Sequence, residues 1–282
     1  MNEFSFIVSS NESKRQTGMT VDNAIHRLET PRAVCTLVDT PGNDNYRQIM
    51  ATALGQADVA ILAVDATASV ESTKDSAQRF GYMEAAQIAY DQGIRQMIVA
   101  LTKIDDRGVN LSEKQYNTLV ENAGVFLAEE IGFESSRIPF IPISGLNGDN
   151  LTCRSPGIPW YDGPYLTQAL DGVESPVRES FKQLWIPILS VCHVERIGTV
   201  AIGTIEAGTL HVGMKVKILP NDVIAKVECI EMHHSALSTA KAGDHVGFNL
   251  VGVDHESADI RSGCIATDTD VAYSTLVDYG YL

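Results

Sequence analysis

Four nearly unbroken apolar runs, each closed by turn-forming polar residues, constrain the first part of this chain most. They are 33–40 (AVCTLVDT), 57–65 (ADVAILAVD), 96–103 (QMIVALTK) and 138–144 (IPFIPIS). Runs of this length without polar alternation fit parallel strands buried on both faces. Helical stretches at 74–92 and 112–131 lie between them, and such alternation predicts a doubly wound α/β domain. From about Pro187 the texture changes to short strand-like pieces (IPILSVCHV, GTVAIGTIEAG, KVKILP, AKVECIEMH, DHVGFNLVGV) separated by Gly, Pro, Asn and Asp. That pattern predicts an all-β barrel or sandwich. The expected organisation is an α/β domain over 1–183, joined through a Pro/Gly/aromatic-rich connector to a β-barrel over 184–270, with a tail at 271–282.

Composition narrows the function classes. Of the 282 residues, 44% are apolar and 20% charged, a soluble globular mix with no apolar run near the ~20 residues of a membrane span. The net charge is −15. Residues 184–282 carry 12 acidic and 6 basic side chains, and residues 1–183 the remaining 24 and 15. Neither half is an obvious binder of a phosphate backbone. Five cysteines at unrelated spacings fit neither a disulfide framework nor a zinc knuckle, so a reduced, cytoplasmic setting is expected.

Four short segments fall at strand ends or in the loop before a strand. They are Gly18-Met19-Thr20-Val21-Asp22, Asp39-Thr40-Pro41-Gly42, Thr102-Lys103-Ile104-Asp105 and Ser144-Gly145-Leu146. Ligands of doubly wound sheets bind at that edge. The Thr20 hydroxyl suits Mg²⁺, a hard ion that prefers oxygen, and Asp39 can hold the same ion through water. The Gly42 amide can donate to a γ-phosphate. Asp105 can accept from guanine N1–H and its N2 amine, the Lys103 stem can lie along the base, and the Ser144–Leu146 backbone can support the guanine oxygen. Each motif alone is common; their order and strand context make joint chance occurrence improbable.

These residues resemble those of translational GTPases around eukaryotic elongation factor 1-alpha, including release-factor and ribosome-rescue paralogues. Gly18–Ile25 is similar to their switch I, and Val38–Gly42 and Gln56–Val64 to the switch II strand and its successor. Ile94–Asp105, IPFIPISGLNGDNL (Ile138–Leu151) and the Pro159-Trp160-Tyr161 turn are family-like. So are Gly198–Gly208, EMHH (Glu231–His234) and Gly243–Leu250 in the second domain. The resemblance covers roughly 15–268 and implies a P-loop-NTPase-like sheet, incomplete at its N-terminus, followed by a translation-factor-type barrel.

The pattern breaks in several places. None of the 22 glycines is followed by lysine, so the phosphate cradle of the P-loop has no counterpart. Two readings of the N-terminus stand open: Phe4–Gly18 continues the segment before switch I, or Phe4–Val8 takes the first strand's place and Ser9–Arg15 is a ruined P-loop keeping only Lys14. Asn43 stands where the family has the water-positioning His, and Asn cannot become a cation. Tyr82-Met83-Glu84-Ala85 replaces Thr-Arg-Glu-His, Thr102 replaces Asn, and no third domain follows about Asp268. The expectation is a paralogue without a catalytic residue or bound cofactor, acting as an interaction or scaffold module for a protein partner or large assembly, with no membrane contact. The alternative is an elongation or ribosome-rescue GTPase that binds GTP or GDP, holds Mg²⁺ through Thr20 and Asp39, and works with tRNA and the ribosome. Trp160-Tyr161 is expected to pack at the domain junction, and His233-His234 to point to opposite strand faces rather than share a metal.

Overall fold

The computed structural model describes residues 23–42, 44–67, 77–106, 112–178, 180, 182–233, 235–253 and 260–271. The chain divides into two compact units, Met1–Ser175 and Pro176–Leu282.

A hairpin opens the described part of the first unit. Strand β1 (Ala24–Glu29) pairs antiparallel with β2 (Val34–Asp39), from Ala24 opposite Asp39 to Glu29 opposite Val34. Thr30 closes the turn: its N–H donates to the Ala33 carbonyl at 2.9 Å and its hydroxyl accepts from the Ala33 N–H at 3.0 Å. The expectation of a buried parallel strand over 33–40 is corrected here. Among the described residues β2 pairs only with β1, and Val34 is 55% exposed. The reason lies in β1, whose residues alternate: Ala24, His26 and Leu28 are half-buried and Ile25, Arg27 and Glu29 exposed. An antiparallel pair can leave one face in water, and this one does.

The other three runs pair in parallel as expected, although on β3 one face is only partly covered and Ala63 is exposed. β3 (Ala60–Asp65), β4 (Met97–Thr102) and β5 (Phe140–Pro142) form a parallel sheet in that order. A short 3-10 turn (Asp44–Tyr46) and helix α1 (Arg47–Leu54) precede β3; α2 (Ala77–Asp91) joins β3 to β4, α3 (Glu113–Val125) joins β4 to β5, and α4 (Leu166–Asp171) follows. On β4, Met97, Val99 and Leu101 pack into one cluster with Ala86, Leu127 and Phe133, whereas Ile98 and Ala100 pack into another with Ile141 and Leu170. A strand sandwiched this way must be apolar at every position, each full burial of a large aliphatic side chain contributing roughly 1.5–3 kcal/mol.

Helix α3 starts at a capping box. The Ser112 hydroxyl accepts from the Gln115 N–H, and the Gln115 carboxamide oxygen accepts from the Ser112 N–H at 2.9 Å. Its buried residues Leu119 and Ala123 are followed at the same four-residue spacing by Leu127 and Ile131, on a π-helical turn (Phe126–Ile131). Gly132, at φ 107°, ends it in the left-handed conformation that glycine adopts most cheaply.

Among the described residues, the regular elements of the second unit are all strands. β6 (Trp185–Val194), β7 (Gly198–Thr204), β9 (Lys215–Leu219), β10 (Val223–Lys226), β11 (Ile230–Met232), β12 (Ser235–Leu237), β14 (His245–Asn249) and β15 (Ile265–Asp268) run in the order β10-β9-β15-β6-β7-β14-β11-β12. β8 (Thr209–His211) pairs with β13 (Thr239–Lys241). Ile186, Ile188, Ala201, Val216, Ile218, Val246 and Phe248 fill one core. At Gly203 the β6 backbone comes so near that an added Cβ would lie 2.2 Å from the Pro187 carbonyl oxygen. The second core thus requires glycine at one point of closest strand approach.

Candidate nucleotide site

Parallel pairing brings the ends of β3, β4 and β5 to one edge. Asp65 lies opposite Thr102, and Leu101 opposite Pro142. The Ile143 N–H donates to the Leu101 carbonyl at 2.8 Å, so the segments Thr102–Asp105 and Ser144–Leu146 leave the sheet side by side.

The loop after β4 begins with Thr102, whose hydroxyl donates to the Val64 carbonyl at 3.3 Å. Lys103 follows in a left-handed conformation, φ 62°, and its Nζ reaches the Asp65 carboxylate at 2.7 Å. The Asp106 N–H donates back to the Lys103 carbonyl at 3.1 Å and closes the turn over Asp105. Asp105 is half-buried and, among the described residues, its carboxylate has no hydrogen-bond or ion-pair partner. An acceptor pair so placed fits a ligand with two adjacent N–H donors.

The loop after β5 is a compact turn around buried Ser144. Its hydroxyl accepts from the Asn147 N–H at 2.9 Å, its carbonyl from the Gly148 N–H at 2.9 Å, and its own N–H donates to the Asp149 carbonyl at 3.2 Å. The Ser144 amide is therefore consumed within the loop. The amides of Gly145 and Leu146 remain without an acceptor among the described residues, and the Leu146 side chain is 64% exposed. Two residues absent from the motif support this loop. Buried Asn150 donates from Nδ2 to the Pro142 carbonyl at 2.8 Å and accepts the Ser155 N–H on Oδ1 at 2.8 Å. Asp149 accepts the Ser155 hydroxyl at 2.6 Å.

Asp39 ends the β1–β2 hairpin and Gly42 follows in the segment after it. Asp39 is half-buried, and Gly42 is exposed with open space where a Cβ would stand. Among the described residues no three His, Cys, Asp or Glu side chains gather as a metal centre. A Mg²⁺ held by one hydroxyl, one water-bridged carboxylate and phosphate oxygens needs no such cluster, and Asp39 fits that donor set. Thr20, Asn43, His234, the segments Phe4–Val8 and Ser9–Arg15, and the tail beyond residue 271 lie outside the described residues.

Trp160 and Tyr161 pack within the first unit. Tyr116 meets both rings, at centroid distances of 5.2 and 5.8 Å. The Tyr116 and Tyr161 hydroxyls both donate to the Phe140 carbonyl, at 2.9 and 3.1 Å. Burial pushes the Tyr116 phenol up to about 12, and burial with the neighbouring Tyr116 raises Tyr161 as well. These rings brace β5, and through it the Ser144 loop.

Among the described residues, a parallel sheet of β3, β4 and β5 with loops leaving one edge is followed by a second, all-β unit. A family model described as the elongation factor Tu GTP binding domain matches residues 2–219, and one described as elongation factor Tu domain 2 matches 198–267. The chain belongs to the elongation factor Tu and elongation factor 1-alpha family of translational GTPases. It is 39% identical over 269 residues to elongation factor 1-alpha of Tetrahymena pyriformis, covering 94% of this chain and 60% of that protein. Elongation factor 1-alpha of Desulfurococcus mucosus is also 39% identical, with 95% and 60% covered. The chain thus spans about three fifths of the curated relatives it matches.

Among solved structures, the translation elongation factor SelB of Methanococcus maripaludis, in complex with the GTP analogue GPPNHP, matches at TM-score 0.71 and 25% identity, covering 96% of this chain and 53% of that one. A bacterial selenocysteine-specific elongation factor shares the fold at TM-score 0.73 and 22% identity, covering 93% and 40%. Membership in a GTP-binding family gives no support to the expectation of a chain without a cofactor.

Proposed function

We propose that this chain is the guanine-nucleotide-binding part of a translation factor in which base recognition is retained and hydrolysis is slow. One observation carries the reading: the half-buried Asp105 carboxylate and the amides of Gly145 and Leu146, without partners among the described residues, stand on adjacent loops at one sheet edge. Asp105 accepts the two edge N–H groups of guanine, and the amides donate to its carbonyl oxygen. The Lys103 stem covers the ring. Adenine presents an amine where guanine has that carbonyl, so the amides would face a donor, an unpaired arrangement that disfavours it. A bound Mg²⁺ would neutralise phosphate charge, with Thr20 and Asp39 as its protein oxygens.

Slow hydrolysis is supported by sequence alone. Asn43 follows Gly42 where a base able to become cationic is expected. Asn can orient water but cannot stabilise developing negative charge as a cation. The acidic balance of both halves favours a protein surface over direct contact with a polyanion. The partner is then a protein within the translation machinery.

Titration of the chain with fluorescent GDP tests the base site. Guanosine nucleotides should displace the probe and adenosine nucleotides should not. Asp105→Ala should weaken binding at least about tenfold, equivalent to 1.4 kcal/mol. Equal displacement by ATP, or an unchanged affinity in the variant, would sink the reading. Ribosome-stimulated turnover by this chain at several per second would sink the slow-hydrolysis part alone.

A further inference from the structure

We propose that Asp65 is a positioning residue of the base site: it holds the Lys103 ammonium and thereby fixes the lysine stem as a wall for the guanine ring. The proposal rests on the guanine reading given above and deepens it.

The arrangement follows from strand register. Asp65 is the last residue of β3 and stands opposite Thr102, so the side chain at 103 emerges one step beyond its carboxylate. The Ala66 N–H donates to the Thr102 carbonyl at 3.0 Å, which locks the two strand ends together just before they part. Both carboxylate oxygens are committed. Oδ2 takes the Lys103 ammonium at 2.7 Å, while Oδ1 takes the Thr67 N–H at 2.8 Å and the Thr67 hydroxyl at 2.6 Å. The acceptor is thus itself immobilised before the lysine reaches it. Burial pushes the Asp65 carboxyl up, but the bonds from Lys103 and Thr67 outweigh that and hold it below its ordinary value, so it is charged at neutral pH.

Position 102 makes this anchor consequential. Threonine there offers one hydroxyl, and that hydroxyl is already directed at the Val64 carbonyl. Among the described residues, the remaining side-chain link between the β3 and β4 ends is the Asp65–Lys103 pair. Without it, Lys103 is a four-carbon chain on a left-handed residue, 61% exposed, with many rotamers to lose when a base stacks on it. Ordering it beforehand lowers that cost. An ion pair this exposed contributes little to folding, so its effect belongs in ligand affinity and not in the melting profile.

The test uses the full chain and two measurements. In the nucleotide-free protein, pulse acylation of amines read by mass spectrometry reports how well Lys103 Nζ is held. Asp65→Asn should raise its labelling at least about threefold, as expected when an ordering contact is lost. In fluorescent-GDP titration, Asp65→Asn should weaken binding about fivefold, with a loss of thermal stability small beside that. In a Lys103→Met background the same substitution should weaken binding no further. Equal labelling in wild type and variant overturns the ion pair. Equal loss of affinity in both backgrounds overturns the positioning role while leaving guanine binding intact. If the wild-type chain binds no guanine nucleotide, the functional reading falls, and the base-wall role with it.

Discussion

At the scale of single residues, the proposed site divides into groups offered to a ligand and groups that hold those in place. Asp105, Gly145 and Leu146 are proposed as the first kind, and their short motifs announce them in the sequence. Asn150 is the second. Buried and at φ 52°, it spans the Pro142 carbonyl and the Ser155 amide. Asn150→Ala leaves both groups unsatisfied and places alanine in a left-handed conformation, which should cost about 2 kcal/mol or more. Chemical denaturation of the variant checks the cost, and guanine-nucleotide affinity should fall with it as the Ser144 loop loosens. Asp65 was illegible for a physical reason: an aspartate at a strand end is unremarkable until register shows which side chain it meets. Asn150 hid likewise, because its partners are backbone groups that become neighbours only when the loop closes.

At the scale of elements, what could be read was what burial dictates. β4 and β5 announced themselves because a strand packed on both faces tolerates few polar residues, and β3 shares that apolar run although its Ala63 is exposed. The same rule misplaced 33–40. Its apolar run is as continuous as the others, yet its partner β1 lies antiparallel and leaves Val34 and Leu37 exposed. Nothing in AVCTLVDT distinguishes the two outcomes; the alternation that decides sits in β1. In the barrel, close strand approach sets a demand that the sequence does not advertise. Gly203→Ala drives a methyl into the Pro187 backbone and should destabilise by about 1–3 kcal/mol. Gly247→Ala is the control, since its added carbon meets Val200 and Ile202 at ordinary distances of 3.7 and 3.9 Å. A urea series comparing the two variants checks this; equal effects would refute the packing argument.

At the scale of the whole molecule, the chain is two compact units with one tryptophan each, Trp160 in the first and Trp185 in the second. This permits a unit-specific pH prediction. Burial, with a smaller contribution from nearby His233, lowers the His245 imidazole from 6.5 to about 4. Its Nδ1 meets the Thr204 hydroxyl at 2.9 Å, and its Nε2 is buried with no hydrogen-bond partner among the described residues. The ring is therefore neutral when folded and takes a proton more readily when unfolded. Its contribution is undiminished above pH 6.5 and is lost as pH falls toward 4. Thermal unfolding of a Trp160→Phe chain, followed by Trp185 fluorescence, should show the second unit weakening over that window. His245→Gln should flatten the slope.

One carbonyl bears on how copies of the molecule treat each other. β5 is the outermost strand of its sheet among the described residues, and the Phe140 oxygen faces away from β4. Two phenols already occupy it. An extended peptide aligning along that border finds the acceptor taken and two rings beside it, which disfavours strand addition there without any charged gatekeeper.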